Sequence, residues 1–323
     1  MTTTTLRQPA ADAPAAGRSA AGPRDRAVGV ALMLGSGLSN QVGAATGALA
    51  FPVIGPAGVV AVRQWVAGVL MWVVGRPRVR SFTWPQWWPV LLLALVFATM
   101  NLSLYTAIDR IGLGLAVTLE FLGPLSVALA GSRRRVDLGC AVAAGAAVVV
   151  LARPQPTTDY LGIALALVAA ACWASYILLN RLIGRRLPGA EGSAAAAGLS
   201  GLAYVPIGIL TLLHHPPTAR ALAYAATAGV LSSAVPFLAD LLALRRVPAH
   251  FFGVFMSVNP VLAALVGLVI LGQSLGWTEW LAIATIVSAN TLSVLTADRS
   301  RVRVRRRPRS VAVCVAVHRP SPD

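Results

Sequence analysis

Glu120 and Arg63 stand inside apolar runs of this sequence, among Ala, Leu, Val and Gly that offer nothing to a charge. A charged or amide group in such a run needs a partner or a water-lined cavity. A carboxyl lining a cavity that opens to two sides in turn can take up a proton on one and release it on the other. At helical rise Glu120 lies ~12 Å and Arg63 ~9 Å from the same end of their runs. The two are therefore able to pair. Two readings stay open for Glu120, a structural partner of Arg63 or a cavity-lining group. Arg63 can also snorkel to the nearby interface. Asn259 lies near the middle of its run beside Pro260. Asn101 with Tyr105, and Tyr176 with Asn180, are i, i+4 polar pairs able to line a pore. Asn40 shares a helical face with Ser36, Gly43 and Gly47, a spacing that marks helix–helix contact more often than binding. Pro124, Pro260 and Pro236 each delete a helical hydrogen bond, which fits kinked helices facing a cavity and fits bent packing equally.

Other chemistries find little support. His214 and His215 have no acidic neighbour to complete a zinc site. Cys140, Cys172 and Cys314 show no metal spacing, and the first two read as packing residues. There is no phosphate-binding glycine loop ending in Lys. No catalytic residue, cofactor or metal is expected, and the chain is not read as an enzyme.

The elements that must position these residues follow from composition. The chain has 323 residues, 57% hydrophobic and 12% charged, with mean hydropathy +0.72. A soluble protein carries about 25% charged residues, so this surface belongs in lipid. Runs of roughly 17–23 apolar residues suit spanning helices rather than the ~10-residue strands of a barrel. Ten such segments fall at 27–47, 57–75, 88–107, 112–131, 136–152, 160–181, 194–213, 221–242, 250–271 and 277–296. The fold class is an all-α integral membrane protein of about ten transmembrane helices. The run Ala27–Ala50 is long for a leader and contains Asn40 and Gln41, so it reads as an uncleaved first span.

Basic residues set the orientation. All 27 are Arg. With the N-terminus inside, 23 of them fall in cytoplasmic segments, including Arg133–Arg135, as the positive-inside rule requires. Both termini are then cytoplasmic, and Arg63, Arg110, Arg153 and Arg220 are the exceptions. The net charge of +16 is explained by topology, and no nucleic-acid partner is expected. Trp84, Trp87 and Trp88 read as anchors at the inner end of the third span. Asp240, near the inner end of its run, reads as a structural partner of Arg245 or Arg246. The Arg-rich end is expected either to lie on anionic lipid or to be a disordered tail that only enforces orientation.

The chain also looks duplicated. The stretch 107–125 resembles 243–261, and an offset of 136 residues aligns Arg110 with Arg246 and Pro124 with Pro260. Five spans per half is odd, so the halves insert in opposite orientations, a recurrent plan of secondary transporters. The organisation is a disordered tail (1–26), a first repeat (27–152), a second repeat (160–296) and an Arg-rich tail (297–323).

Several strings carry a family resemblance. They are Asn40-Gln41 with Gly43-Ala44, Gly114 through Leu125, Ala171-Cys172-Trp173-Ala174 with Tyr176, Val235-Pro236-Phe237, and Met256-Ser257 with Pro260. Together they resemble the EamA-domain exporters of the drug/metabolite transporter superfamily, nearest the threonine/homoserine branch, over residues 27–296. The resemblance implies two inverted five-helix repeats exporting amino acids or similar small metabolites across the inner membrane, with proton coupling. Export of drugs or other amphiphiles by the same architecture is the alternative, and a non-transporting receptor or assembly subunit the reading from another class. Relative to that branch, Ala48 stands where a Lys is usual, and Asn259 and Gln273 stand where Glu is usual. Asp240 keeps an acidic position.

Overall fold

The computed structural model describes residues 23–130, 135–151, 159–236, 239 and 257–305, and these are helical with no strand among them. The helices are α1 (Pro23–Ala48), α2 (Phe51–Gly75), α3 (Trp84–Ile111), α4 (Leu113–Glu120), α5 (Leu122–Ala130) and α6 (Arg135–Leu151). They continue with α7 (Tyr160–Ile183), α8 (Glu191–His214), α9 (Ala219–Gly229), α10 (Asn259–Leu271) and α11 (Trp277–Arg305). Four of them, α2, α3, α7 and α8, are each long and apolar enough to cross a bilayer. Large apolar side chains such as Val69, Leu95, Leu213 and Val269 are exposed on the outside of the bundle, where hydrocarbon is their natural solvent.

Glycine and proline explain most departures from ten plain segments. Gly55, at φ +66°, breaks α2 just after its start, and the long stretch resumes at Pro56, whose missing N–H is harmless in a first turn. The segment expected at 112–131 divides into α4 and α5 at Phe121. Pro124 has no N–H to give the carbonyl four residues back, which is that of Glu120, so the ladder lapses there. After α9 the chain widens into a π-turn over Val230–Ala234 and then meets Pro236. Pro260 differs from the expected mid-span kink: it opens α10 directly after a turn at residues 257–258. The last helix runs on past the expected boundary at 296 as far as Arg305. Asp240, Arg245, Arg246, Arg133 and Arg134 lie outside the described residues, as does Cys314.

Packing joins early and late helices of the chain closely. The most extensive helix contacts are α2 with α8 and α3 with α7, followed by α6 with α11. Buried amide and hydroxyl groups reinforce them. Gln64 Nε2 donates to Ser200 Oγ (2.6 Å), joining α2 to α8, and Tyr204 Oη donates to Ala98 O (2.9 Å), joining α8 to α3. The ends are tied by polar groups in water. Arg78 pairs with Glu191 at 2.9 Å and Arg110 with Asp159 at 2.7 Å. Asp159 also caps α7 by accepting from Gly162 N–H, and that bond together with Arg110 holds its carboxyl below the usual range. At the opposite end of the bundle Arg186 lies over the Trp88 ring and donates to Pro85 O. That carbonyl is free because Pro89, four residues on, cannot donate to it.

Candidate functional site

A cavity of about 560 Å³ lies within the bundle, walled by α1, α2, α3, the α4–α5 break, α7, α8, the π-turn after α9, and the start of α10. Its lining mixes two kinds of side chain. Amides and hydroxyls come from Ser36, Asn40 and Gln41 of α1, Gln64 of α2, Ser232 and Ser233 of the π-turn and Asn259 of α10. Phe97, Met100, Phe121, Trp173 and Tyr176 supply aromatic and thioether surface. The Phe121 and Trp173 rings meet edge to face at 4.7 Å, and Phe97 and Tyr176 lie 5.6 Å apart.

Seven of the eight polar candidates line this one space: Asn40, Arg63, Asn101, Tyr105, Glu120, Tyr176 and Asn259. Asn180 stands behind it, accepting from Ser193 Oγ (2.8 Å), and Ser193 itself faces the cavity. Of the three prolines Pro236 lines the cavity, while Pro124 and Pro260 border it in sequence beside Glu120 and Asn259.

Arg63 is held inside the protein and does not snorkel; it is 9% exposed. Its guanidinium donates to Asn101 Oδ1 and to Ser232 O (3.4 Å) and lies 5.0 Å over the Tyr105 ring. The Ser232 carbonyl is available because Pro236, four residues later, has no N–H to offer it. The neighbouring Leu231 carbonyl accepts from Ser39 Oγ (2.8 Å). Ser232 Oγ in turn donates to Asn40 O (3.0 Å). A π-turn followed by proline thus presents main-chain acceptors to α1 and α2, a distortion often found at functional sites.

Glu120 is 6% exposed and faces the same cavity. It does not form the ion pair with Arg63 that the sequence allows: among the described residues the ion pairs are Arg78–Glu191 and Arg110–Asp159. The guanidinium is engaged by neutral acceptors, so the two side chains share one cavity without touching. Both are therefore left to act on a solute.

Sequence reasoning passed over Gln41 and Gln64, although amides in apolar runs are the same signal that marked Asn40. Gln41 Nε2 donates to Asn259 Oδ1 at 3.4 Å, linking α1 to α10 across the cavity wall. Ser232 and Ser233 gave no warning, since their role comes from the π-turn. Gln273 lies away from the cavity and accepts from Leu113 N–H (2.9 Å), capping α4. Ala48 is buried in the apolar core. His214 is exposed and bonded to Leu210 O, and no group of metal-ligating residues occurs among the described residues.

The model of the EamA-like transporter family matches residues 160–295. The threonine/homoserine exporter RhtA of Salmonella typhimurium strain LT2 is 36% identical over 81% of this chain and 89% of its own. RhtA of Escherichia coli K12 is 35% identical over 83% and 91%. A solved crystal structure, 20% identical, superposes with a TM-score of 0.54 over 82% of this chain and 97% of that one, a likeness of fold alone.

Proposed function

The chain belongs to the EamA-like transporter family, and on that premise we propose that it exports threonine, homoserine or a similarly small amino acid, with proton entry as the driving force. The observation that carries the reading is the cavity holding Arg63 and Glu120 apart inside an apolar bundle. The carboxylate of a zwitterion finds its counter-charge in Arg63, and Glu120 is left to carry the proton. Flux of labelled threonine in liposomes containing the purified chain is the test, and wild-type protein that moves no amino acid ends the reading. The aromatic and methionine lining favours a second solute class, amphiphiles, so an amphiphilic dye belongs in the same panel.

In this reading the architecture is ten spans in two inverted repeats, 27–152 and 160–296, with α4 and α5 forming the fourth span. Its support is that packing partners survive exchange of each span for its counterpart five spans on. Contact of α1 with α9 answers contact of α3 with α7. Contact of α1 with α10 answers that of α4 and α5 with α7, and α3 on α8 answers α2 on α9. The self-counterpart pairs, α2 with α8 and α6 with α11, also pack together.

The arginine distribution orients the chain in the inner membrane with both termini and residues 133–135 cytoplasmic. Replacing either His214 or His215 by Cys, in a chain freed of its own cysteines, should give labelling by an impermeant maleimide from outside. Cysteines at 133–135 should stay silent, and external labelling there refutes the topology.

Residues 299–309 carry seven arginines, and the tail is read as lying on anionic headgroups at about 1 kcal/mol per residue. Deleting 299–323 should weaken binding to none of the solutes and leave flux near wild type. Loss of flux in a deletion that still inserts and folds counts against a purely peripheral tail.

A further inference from the structure

Four buried side-chain polar atoms lack a hydrogen-bond partner among the described residues, and three of them belong to residues lining the cavity. They are Gln41 Oε1, Arg63 Nε and Tyr105 Oη. An unmatched buried polar atom is costly, and isosteric Met or Phe would remove two of the three without changing the packing. They arrive from three different helices, α1, α2 and α3, yet line one cavity. Arg63 and Tyr105 share one corner, the guanidinium lying over the ring and bonding the Ser232 carbonyl, while Gln41 is held on the wall of the same cavity by its Nε2 bond to Asn259. The guanidinium in this corner has no carboxylate within ion-pair distance, and removing a buried charge from its partner is among the costlier things a protein does.

We propose that Gln41, Arg63 and Tyr105 form the head-group seat of the solute, Arg63 and Tyr105 taking its carboxylate and Gln41 its ammonium. The inventory matches an α-amino acid: two donors for an anion and one acceptor for a cation. Each unmatched atom exposes less than 1 Å², so the seat is closed while empty, and small rotations of the three ends open it as the solute arrives. The remainder of the solute then faces Phe97, Met100, Phe121 and Trp173. This assignment rests on the amino-acid exporter reading and adds to it which residues read which group.

The test uses the full chain in liposomes, with half-saturation of exchange measured for three solutes. These are threonine, its amino alcohol lacking the carboxylate, and its hydroxy-acid analogue lacking the ammonium. Tyr105→Phe should raise half-saturation for threonine and the hydroxy acid roughly tenfold and leave the amino alcohol unchanged. Gln41→Met should penalise threonine and the amino alcohol by a similar factor and spare the hydroxy acid. If these atoms are mere packing faults, Tyr105→Phe melts at or above the wild-type temperature and every affinity stays as it was in both variants, which overturns the proposal. Equal losses on all three solutes overturn it as well. So does failure of Tyr105→Phe to fold, because the hydroxyl removed would then have been matched. Gln41→Met also loses the Nε2 bond to Asn259; where it does not fold, the arm is read in Gln41→Glu, which should tighten threonine and the amino alcohol but not the hydroxy acid, and the lack of that difference overturns the proposal. Wild-type protein that exchanges none of the three refutes the exporter reading itself, a result distinct from these.

Discussion

Glu120→Gln is expected to abolish proton-driven accumulation while leaving solute exchange running. Glutamine keeps the shape of the side chain and its hydrogen-bonding end but cannot shuttle a proton. With an imposed difference of about one pH unit, a carrier moving one proton per solute can sustain roughly tenfold accumulation. The variant should sustain none, and its exchange of labelled for unlabelled solute at equal pH should stay within a few-fold of wild type. The geometry supports this split. Glu120 makes no ion pair with Arg63, so neutralising it breaks no bridge between helices. Its own carbonyl sits at the α4–α5 break, where Pro124 leaves the ladder open, a point at which the span can flex as access alternates. Unchanged pH dependence in the variant removes Glu120 as the coupling group. Failure of Glu120→Gln and Arg63→Leu to assemble, each to the same degree, would instead assign the two a joint structural role.

How much of this was legible in the sequence depends on the distance over which each signal acts. The helical, apolar character of the segments could be read because lipid imposes its requirement on each one separately. Seven of eight polar candidates came to one cavity for the same reason, since a polar group in a lipid-facing run has few other places to go. What stayed hidden is pairwise. Arg63 and Glu120 lie at similar depths and opposite charge suggested a bond between them. The structure gives Arg63 to Asn101 and a main-chain carbonyl instead. Pro236, four residues beyond, has no N–H to offer that carbonyl, and the helix before it has widened to a π-turn. The proline was visible; the consequence needed α2 and α9 to be neighbours. Pro260 shows the converse, a kink residue by sequence that turns out to begin a helix. The i, i+4 pair Tyr176 and Asn180 divides between the cavity and the layer behind it, because helical spacing fixes a common face without fixing its reach.

The face of α1 bearing Ser36, Asn40, Gly43 and Gly47 does two things along its length, and the second yields a large expected effect. Its first half lines the cavity through Ser36 and Asn40. In its second half the glycines let other helices close over the cavity. A methyl group on Gly47 would lie 3.1 Å from Ala228 Cβ, 3.2 Å from Tyr105 Cε1 and 3.2 Å from Val59 Cγ1. Those atoms belong to α9, α3 and α2, so one missing Cβ lets four helices converge. In the proposed topology this is the outer end, and the apolar core around Ala48, Ala50, Ile54, Ala107 and Ile108 continues the seal. Gly47→Ala asks three neighbours to yield by a few tenths of an ångström and should cost about 1 kcal/mol, with transport reduced but measurable. Gly47→Leu cannot be housed there by small adjustments. Overpacking of that size costs about 1–3 kcal/mol or forces the helices apart. We expect the second outcome, with net flux lost and the outer end wedged. A cysteine at Ala44, which lines the cavity just inside the seal, reports it when the native cysteines are replaced by Ser. It should react slowly with an impermeant reagent from outside in the Gly47 parent and fast in the Leu variant, with the Ala variant between. Wild-type flux together with parent-like reactivity in Gly47→Leu means that the cavity closes elsewhere, and a graded loss of folding without any gain in reactivity means that the contact is structural only.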